Sequence, residues 1–298
     1  MSTEPATDAG PTQPGWAVEA VRGRIDEALE AFLASRRAEM TVLDPAAADL
    51  VDELSRLIAA GGKRLRPAFC YWGHRAAGGA DGEPVIRAAA ALELLHTFAL
   101  VHDDVMDDAD ERRGVPTTQI EFAKRSGAAA DPVRLGRSVA VLVGDLGAVM
   151  AEWMLRGSGF PPDRLTAAFE RFDRMRLEMA AGQYLDLEGT ARDVASAEHV
   201  AELKTGSYTV EGPLLIGAVL AGARPEVEAA LVAFGRPAGE AFQLRDDLVD
   251  REASPGVTPV RVNELVGRAA LALDDPALDP EGVRALRSLV GLLRMAEA

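Results

Sequence analysis

Between residues 16 and 40, WAVEAVRGRIDEALEAFLASRRAEM, apolar side chains recur at Val18, Val21, Ile25, Leu29, Phe32 and Leu33, with charged residues between them. That spacing predicts an amphipathic helix with one buried face. The stretch AAADLVDELSRLIAA repeats the pattern and stops at Gly61-Gly62, which suits a helix C-terminus. From Pro84 to His102, PVIRAAAALELLHTFALVH is apolar nearly all round, predicting a central, buried helix. Further helices are expected around 132–157, 163–187, 195–222, 225–251, 260–273 and 280–296. Alternation with period two between hairpin turns is absent, so no strands are expected. The predicted architecture is all-α: a single-domain bundle of long helices around a central apolar cavity, spanning 16–298. Residues 1–15, polar and containing Pro and Gly, are expected to form a flexible tail.

Composition narrows the function. The chain has 298 residues, 48% of them apolar, and a net charge of −15. So acidic a surface argues against nucleic acid as the main partner, because phosphate contacts need clustered Lys and Arg. No apolar run escapes interruption by polar residues over a bilayer's width, so no transmembrane segment is expected. The one cysteine, Cys70, excludes an intrachain disulfide and suits a cytoplasmic location. Lysine occurs only at positions 63, 124 and 204, Arg supplying the other cations.

The chemistry concentrates in two acidic runs. In LVHDDVMDDADERRGVPT, Asp103 and Asp107 lie four apart, as do Asp104 and Asp108 if the central helix continues that far. Like charges at this spacing cost a helix a few tenths of a kcal/mol per pair, on the order of 0.3, and the macrodipole disfavours anions at a C-terminal end. A solvated face would explain one such run. A second, GEAFQLRDDLVD, repeats the pattern with Asp246, Asp247 and Asp250. Two facing acidic helix ends above an apolar pocket would suit a diphosphate with Mg²⁺ between its oxygens and the aspartates. Cations stand nearby in sequence. AGGKRLRP carries Lys63, Arg64 and Arg66; Arg112 and Arg113 follow the first acidic run; ELKTGSYTVEGPLL carries Lys204 and Thr205. The bland readings are a surface loop for the first and salt bridges to Asp108 or Glu111 for the second. His96, seven before Asp103, is either an anion donor or a satisfied core residue.

The blocks GGKRLRP, LLHTFALVHDDVMDDADERRGVPT, VLVGDLGAVMA, GQYLDL, KTGSYTVEGPLLIGAVLAGA and GEAFQLRDDLVD resemble, in order, those of the trans-isoprenyl diphosphate synthases, the polyprenyl synthetase family. The resemblance implies an all-α homodimer that ionises an allylic diphosphate with Mg²⁺ and lets isopentenyl diphosphate attack the cation. By position, Asp103 and Asp107, with Asp246 and Asp250, would bind Mg²⁺. Asp104, Asp247 and Lys204 join them as residues acting on the leaving diphosphate. Arg112, Lys204, Thr205 and Gln243 would hold the allylic diphosphate; Lys63, Arg66, His96 and Arg113 would hold isopentenyl diphosphate. Phe98 and Ala99, about one turn before Asp103, would limit the growing tail. In similar enzymes without an insertion in the first motif, an aromatic five residues before it accompanies a geranylgeranyl (C20) product. That product is expected first, farnesyl (C15) next.

The pattern departs after Asp250, where REASPGVTPVRVNELVGRAA lacks the family's lysine-bearing loop and the chain is short. Arg251 and Arg261 are the candidates to replace that lysine. Gln119 stands where similar proteins often have His, and Pro237 is expected to kink the helix of the second motif. Two other readings stay open: a low-activity homologue acting as partner subunit of a full-length synthase, and a terpene cyclase.

Overall fold

The computed structural model describes residues 15–127, 131–189, 200, 202–250 and 257–296; the side chains of 202, 204–207 and 250 fall outside that description. The first helix, α1 (Trp16–Leu43), buries Val18, Val21, Ile25, Leu29 and Leu33, the stripe its periodicity marks. After one 3₁₀ turn come α2 (Ala48–Ala59), α3 (Leu65–Ala76) and α4 (Glu83–Met106). The chain continues through α5 (Thr118–Arg125), α6 (Pro132–Arg156) and α7 (Pro162–Leu187). A π-helical segment (Glu202–Glu211) then leads into α8 (Gly212–Ala221), α9 (Pro225–Asp250), α10 (Pro259–Ala272) and α11 (Pro280–Gly291). Pro132, Pro162, Pro259 and Pro280 open their helices, where a missing N–H leaves no bond unmade. Asp131, Thr258 and Asp279 cap three of these, each side chain accepting from a first-turn backbone N–H.

Helix α4 is the axis of the bundle, packed by α1, α2, α3, α6 and α8. Ala88 to Ala91, Leu92, Leu94 and Leu95 are all buried, as a helix apolar on every side requires. The crossing of α3 with α8 is close: a Cβ on Gly217 would fall 1.9 Å from the Cys70 carbonyl oxygen. Helix α9 lies against the π segment and α10.

Several expectations need correction. Helix α4 ends at Met106; Asp107 keeps helical angles as its C-cap, but Asp108 turns left-handed at φ 53, so the helix does not run through Asp108. The expected absence of strands fails in a small way, because Glu111–Arg112 pairs antiparallel with Val115–Pro116. The span expected as one helix over 195–222 is, where described, a π segment followed by an α-helix. Pro237, the expected kink position, does lie inside α9. By length and composition alone, α4 and α6 also qualify as membrane spans, each with a window of mean hydropathy 1.5. Of those windows 67% is buried in α4 but only 44% in α6, whose Val141, Leu142, Val149 and Trp153 are exposed.

Candidate diphosphate site

A cavity of about 510 Å³ opens where the α2–α3 loop meets α4 and α9. Lys63, Arg66, His96 and Arg113, which lie far apart in sequence, all line it, together with Arg64, Glu93, Phe242 and Asp246. The second acidic motif therefore faces the basic loop. His96 and Asp103 are seven residues apart on α4, so the first motif begins about 10 Å further along the same helix face.

The loop is built around Arg64. This residue is buried and left-handed at φ 51, and it caps the N-terminal end of α3. Its guanidinium donates to Asp26 of α1 at 2.8 Å, to Glu93 of α4 at 2.6 Å and to the Ile58 carbonyl at 2.9 Å. Gly62 permits this crowding: a Cβ there would lie 2.8 Å from Arg64 Nη1 and 3.0 Å from Arg113 Nη1. Lys63 is exposed at the rim. Arg113, also left-handed at φ 54, donates from Nη1 to the Gly61 carbonyl and so ties the two-strand turn to the glycine loop. Two non-glycine residues with positive φ, Arg64 and Arg113, thus line one cavity, a placement typical of functional strain.

The first motif is not an open row of carboxylates. Asp104 is buried, and Arg112 Nε donates to it at 2.5 Å while Nη2 reaches Asp103 at 3.3 Å. The salt bridges expected from Arg112 to Asp108 or Glu111 are therefore replaced by bonds back into the motif. Asp108 instead accepts from Arg137 at 2.5 Å. Burial raises the pKa of Asp104, and Arg112 opposes that shift. Gln119, absent from the expected site, is buried and donates to the Asp104 and Ala109 carbonyls, holding the turn after the motif. In the second motif, Gln243 Nε2 donates to Asp247 at 2.5 Å, leaving its Oε1 buried without a partner. The side chains of Lys204, Thr205 and Asp250 lie outside the described residues, as does Arg251. Arg261 is engaged with Glu240 at 2.8 Å.

Glu93 is the residue the sequence reading missed. It is a buried carboxylate three positions before His96, set among Arg64, Arg66 and Arg113. A lone acid inside an otherwise apolar run was the available signal. Phe98 and Ala99 are half-buried against the core, and the Phe98 ring lies 5.0 Å from that of His102, which bonds the Val141 carbonyl of α6.

Burial, reinforced by Arg66, Arg113, Arg112 and Arg64, holds the His96 imidazole well below its ordinary 6.5. The unfolded chain therefore takes up this proton first as pH falls. The stability that neutral His96 contributes is complete above 6.5 and declines below it. Denaturant titrations from roughly pH 7.5 down to 5.5 should show a loss that His96→Gln makes smaller. Equal losses in both proteins would refute the assignment.

Among the described residues no three acidic, imidazole or thiol side chains converge to hold a metal by themselves. The donors at hand, Asp103, Asp107, Asp246 and Asp247, are hard oxygen ligands, and Mg²⁺ characteristically takes one or two carboxylates and completes its shell with phosphate and water. The donor set fits such an ion when a diphosphate supplies the remaining oxygens.

The polyprenyl synthetase profile matches residues 48–259. A geranylfarnesyl diphosphate synthase of Aeropyrum pernix is 36% identical over 243 residues, covering 79% of this chain and 72% of that protein. A geranylgeranyl diphosphate synthase of Methanosarcina mazei is 36% identical over 200 residues, covering 66% of this chain and 57% of that protein. The chain thus spans between 57% and 72% of the length of these two relatives. The solved geranylgeranyl pyrophosphate synthase of Corynebacterium glutamicum, complexed with isoprenyl diphosphate and magnesium, superposes with a TM-score of 0.84. It is 28% identical, with 92% of this chain and 98% of that one covered.

Proposed function

This chain belongs to the polyprenyl synthetase family, and on that premise we propose that it is a Mg²⁺-dependent, chain-elongating trans-prenyltransferase joining isopentenyl diphosphate to an allylic diphosphate. The observation that carries the reading is the single cavity shared by Lys63, Arg66, His96 and Arg113, with Asp246 of the acidic motif on its wall. A subsite in which cations outnumber the one buried carboxylate, Glu93, beside an acidic one is what two neighbouring diphosphates require, one of them metal-bound. Isopentenyl diphosphate sits on the cationic side, with His96, neutral by virtue of its burial, offering one N–H to a phosphate oxygen. Asp103, Asp107, Asp246 and Asp250 would hold Mg²⁺ at the allylic diphosphate, which Arg112, Lys204, Thr205 and Gln243 would also bind. When bound, the metal neutralises charge developing on the leaving diphosphate. Arg112, now bonded to Asp103 and Asp104, is close enough to turn its donors to that group. The apolar bundle excludes water that would quench the allylic cation.

The test is direct. Purified protein is incubated with Mg²⁺, isopentenyl diphosphate and each allylic starter, and products are identified by mass. Longer diphosphates support the reading; hydrocarbons or alcohols would point to a cyclase, and no turnover to a partner subunit.

The two relatives of equal identity differ in product length, so chain length rests on the residues themselves. Phe98 at the α4–α6 crossing favours the C20 product, geranylgeranyl diphosphate. Phe98→Ala should lengthen the main product by at least one five-carbon unit. An unchanged product would reject Phe98 as the stop. The exposed apolar face of α6, with Val141, Leu142, Val149 and Trp153, is where a second copy would pack to give a homodimer. A cytoplasmic location belongs to the same reading.

A further inference from the structure

Two arginines two residues apart at the start of α3, Arg64 at its N-cap and Arg66 in its first turn, have opposite surroundings. Arg64 is neutralised by the carboxylates of Asp26 and Glu93. Arg66 has no carboxylate partner among the described residues. Its Nη2 donates to the Thr209 hydroxyl at 2.8 Å, and its guanidinium lies over the Tyr208 ring, 4.5 Å from the centroid. Its Nε is buried without a partner. Tyr208 and Thr209 are themselves buried, on the π-helical segment Glu202–Glu211 that packs against α3 and α9. The His96 ring lies 6.2 Å from that of Tyr208, and both His96 Nδ1 and the Tyr208 hydroxyl are also buried without partners.

An aromatic face and a hydroxyl can fix a guanidinium without cancelling its charge. A carboxylate in their place would have to be displaced by any incoming anion. With neutral partners behind it, Arg66 lines the cavity with no carboxylate bonded to it, although Glu93 and Asp246 stand on the same wall. Arg66 and His96 both line the cavity, and each keeps one buried nitrogen without a partner, Nε and Nδ1, the kind of unsatisfied group that marks a functional site.

We propose that Tyr208 and Thr209 are positioning residues for isopentenyl diphosphate: they hold Arg66 from behind with a ring face and a hydroxyl, and thereby set the affinity of the cationic subsite. The inference rests on the reading of this cavity as the isopentenyl diphosphate site. Neither residue touches the reacting atoms, so their effect belongs in KM for isopentenyl diphosphate and not in kcat or in KM for the allylic substrate.

The experiment uses the full chain. KM for each substrate is measured at saturating partner, and inorganic pyrophosphate binding is measured by calorimetry without divalent metal. Thr209→Val removes the acceptor at nearly constant volume and should raise KM for isopentenyl diphosphate about tenfold, the effect of one hydrogen bond to a charged group. Thr209→Ser keeps the acceptor and should stay within about twofold of the parent. Tyr208→Leu should raise the same KM about fivefold by removing the ring face, whereas Tyr208→Phe, which keeps that face, should not. Lys63→Ala and Arg66→Ala are the controls for the site. If both controls leave pyrophosphate binding and KM unchanged, the cavity is not the isopentenyl diphosphate site. If the controls lose affinity but Thr209→Val and Tyr208→Leu do not, the positioning role is overturned. An equal loss in Thr209→Ser and Thr209→Val, or in Tyr208→Phe and Tyr208→Leu, overturns it as well.

Discussion

Replacing Asp103 with Asn is expected to lower kcat about a thousandfold, the upper range for deleting one electrostatic stabiliser of developing charge. Asp103 stands on the last turn of α4, and the backbone N–H of Asp107 donates to its carbonyl at 2.8 Å, so the two carboxylates are held one turn apart. Neither packing nor helix stability calls for that arrangement; charge repulsion and the macrodipole both oppose it. The substitution keeps shape and removes one charge. Arg112 retains Asp104, which is buried and bonded at 2.5 Å, so the local fold should persist. Steady-state assays over a Mg²⁺ titration, with thermal unfolding as the control, decide the matter. A variant within threefold of the parent at every Mg²⁺ concentration would remove Asp103 from the metal site.

The second large effect concerns stability. Glu93→Ala is expected to cost about 3 kcal/mol, because removing one partner of a buried ion pair leaves the other charge uncompensated. Glu93 and Arg64 are both buried, 2.6 Å apart, and Arg113 and Arg66 lie on the same cavity. Arg64 keeps Asp26 and the Ile58 carbonyl, which places the loss toward the low end of the range for such pairs. Glu93→Gln retains an acceptor and should cost about 1 kcal/mol. Chemical denaturation gives both values. If alanine and glutamine cost the same, Glu93 is not acting as a counter-charge.

Much of this was legible along the chain because it depends on local spacing. The stripe on α1, the all-round apolarity of α4 and the starts of α6, α7, α10 and α11 at prolines are properties of neighbouring residues. So are the i, i+4 relation of Asp103 to Asp107 and the repetition of the motif at Asp246. Even the membership of the cavity wall was readable, since Lys63, Arg66, His96 and Arg113 each sit in a distinctive block. Whether α4 reaches Asp108 stayed open for an equally local reason. Asp108 adopts a left-handed conformation, accessible to aspartate, that a periodicity argument does not register.

What each charged group does there was decided elsewhere. Arg64 and Arg66 look alike two residues apart, yet the first is neutralised by Glu93, 29 positions away, and the second rests on Thr209, 143 positions away. Arg112 turns to Asp104 instead of the nearer Asp108, and Arg113 reaches Gly61, 52 positions earlier. The amino-acid order alone determined which helices form, which faces they bury and where the acidic and basic motifs stand, because those follow from side chains within a turn or two. Only the packed bundle decided which cations are cancelled and which stay charged, because a buried charge is set by neighbours brought from distant parts of the chain.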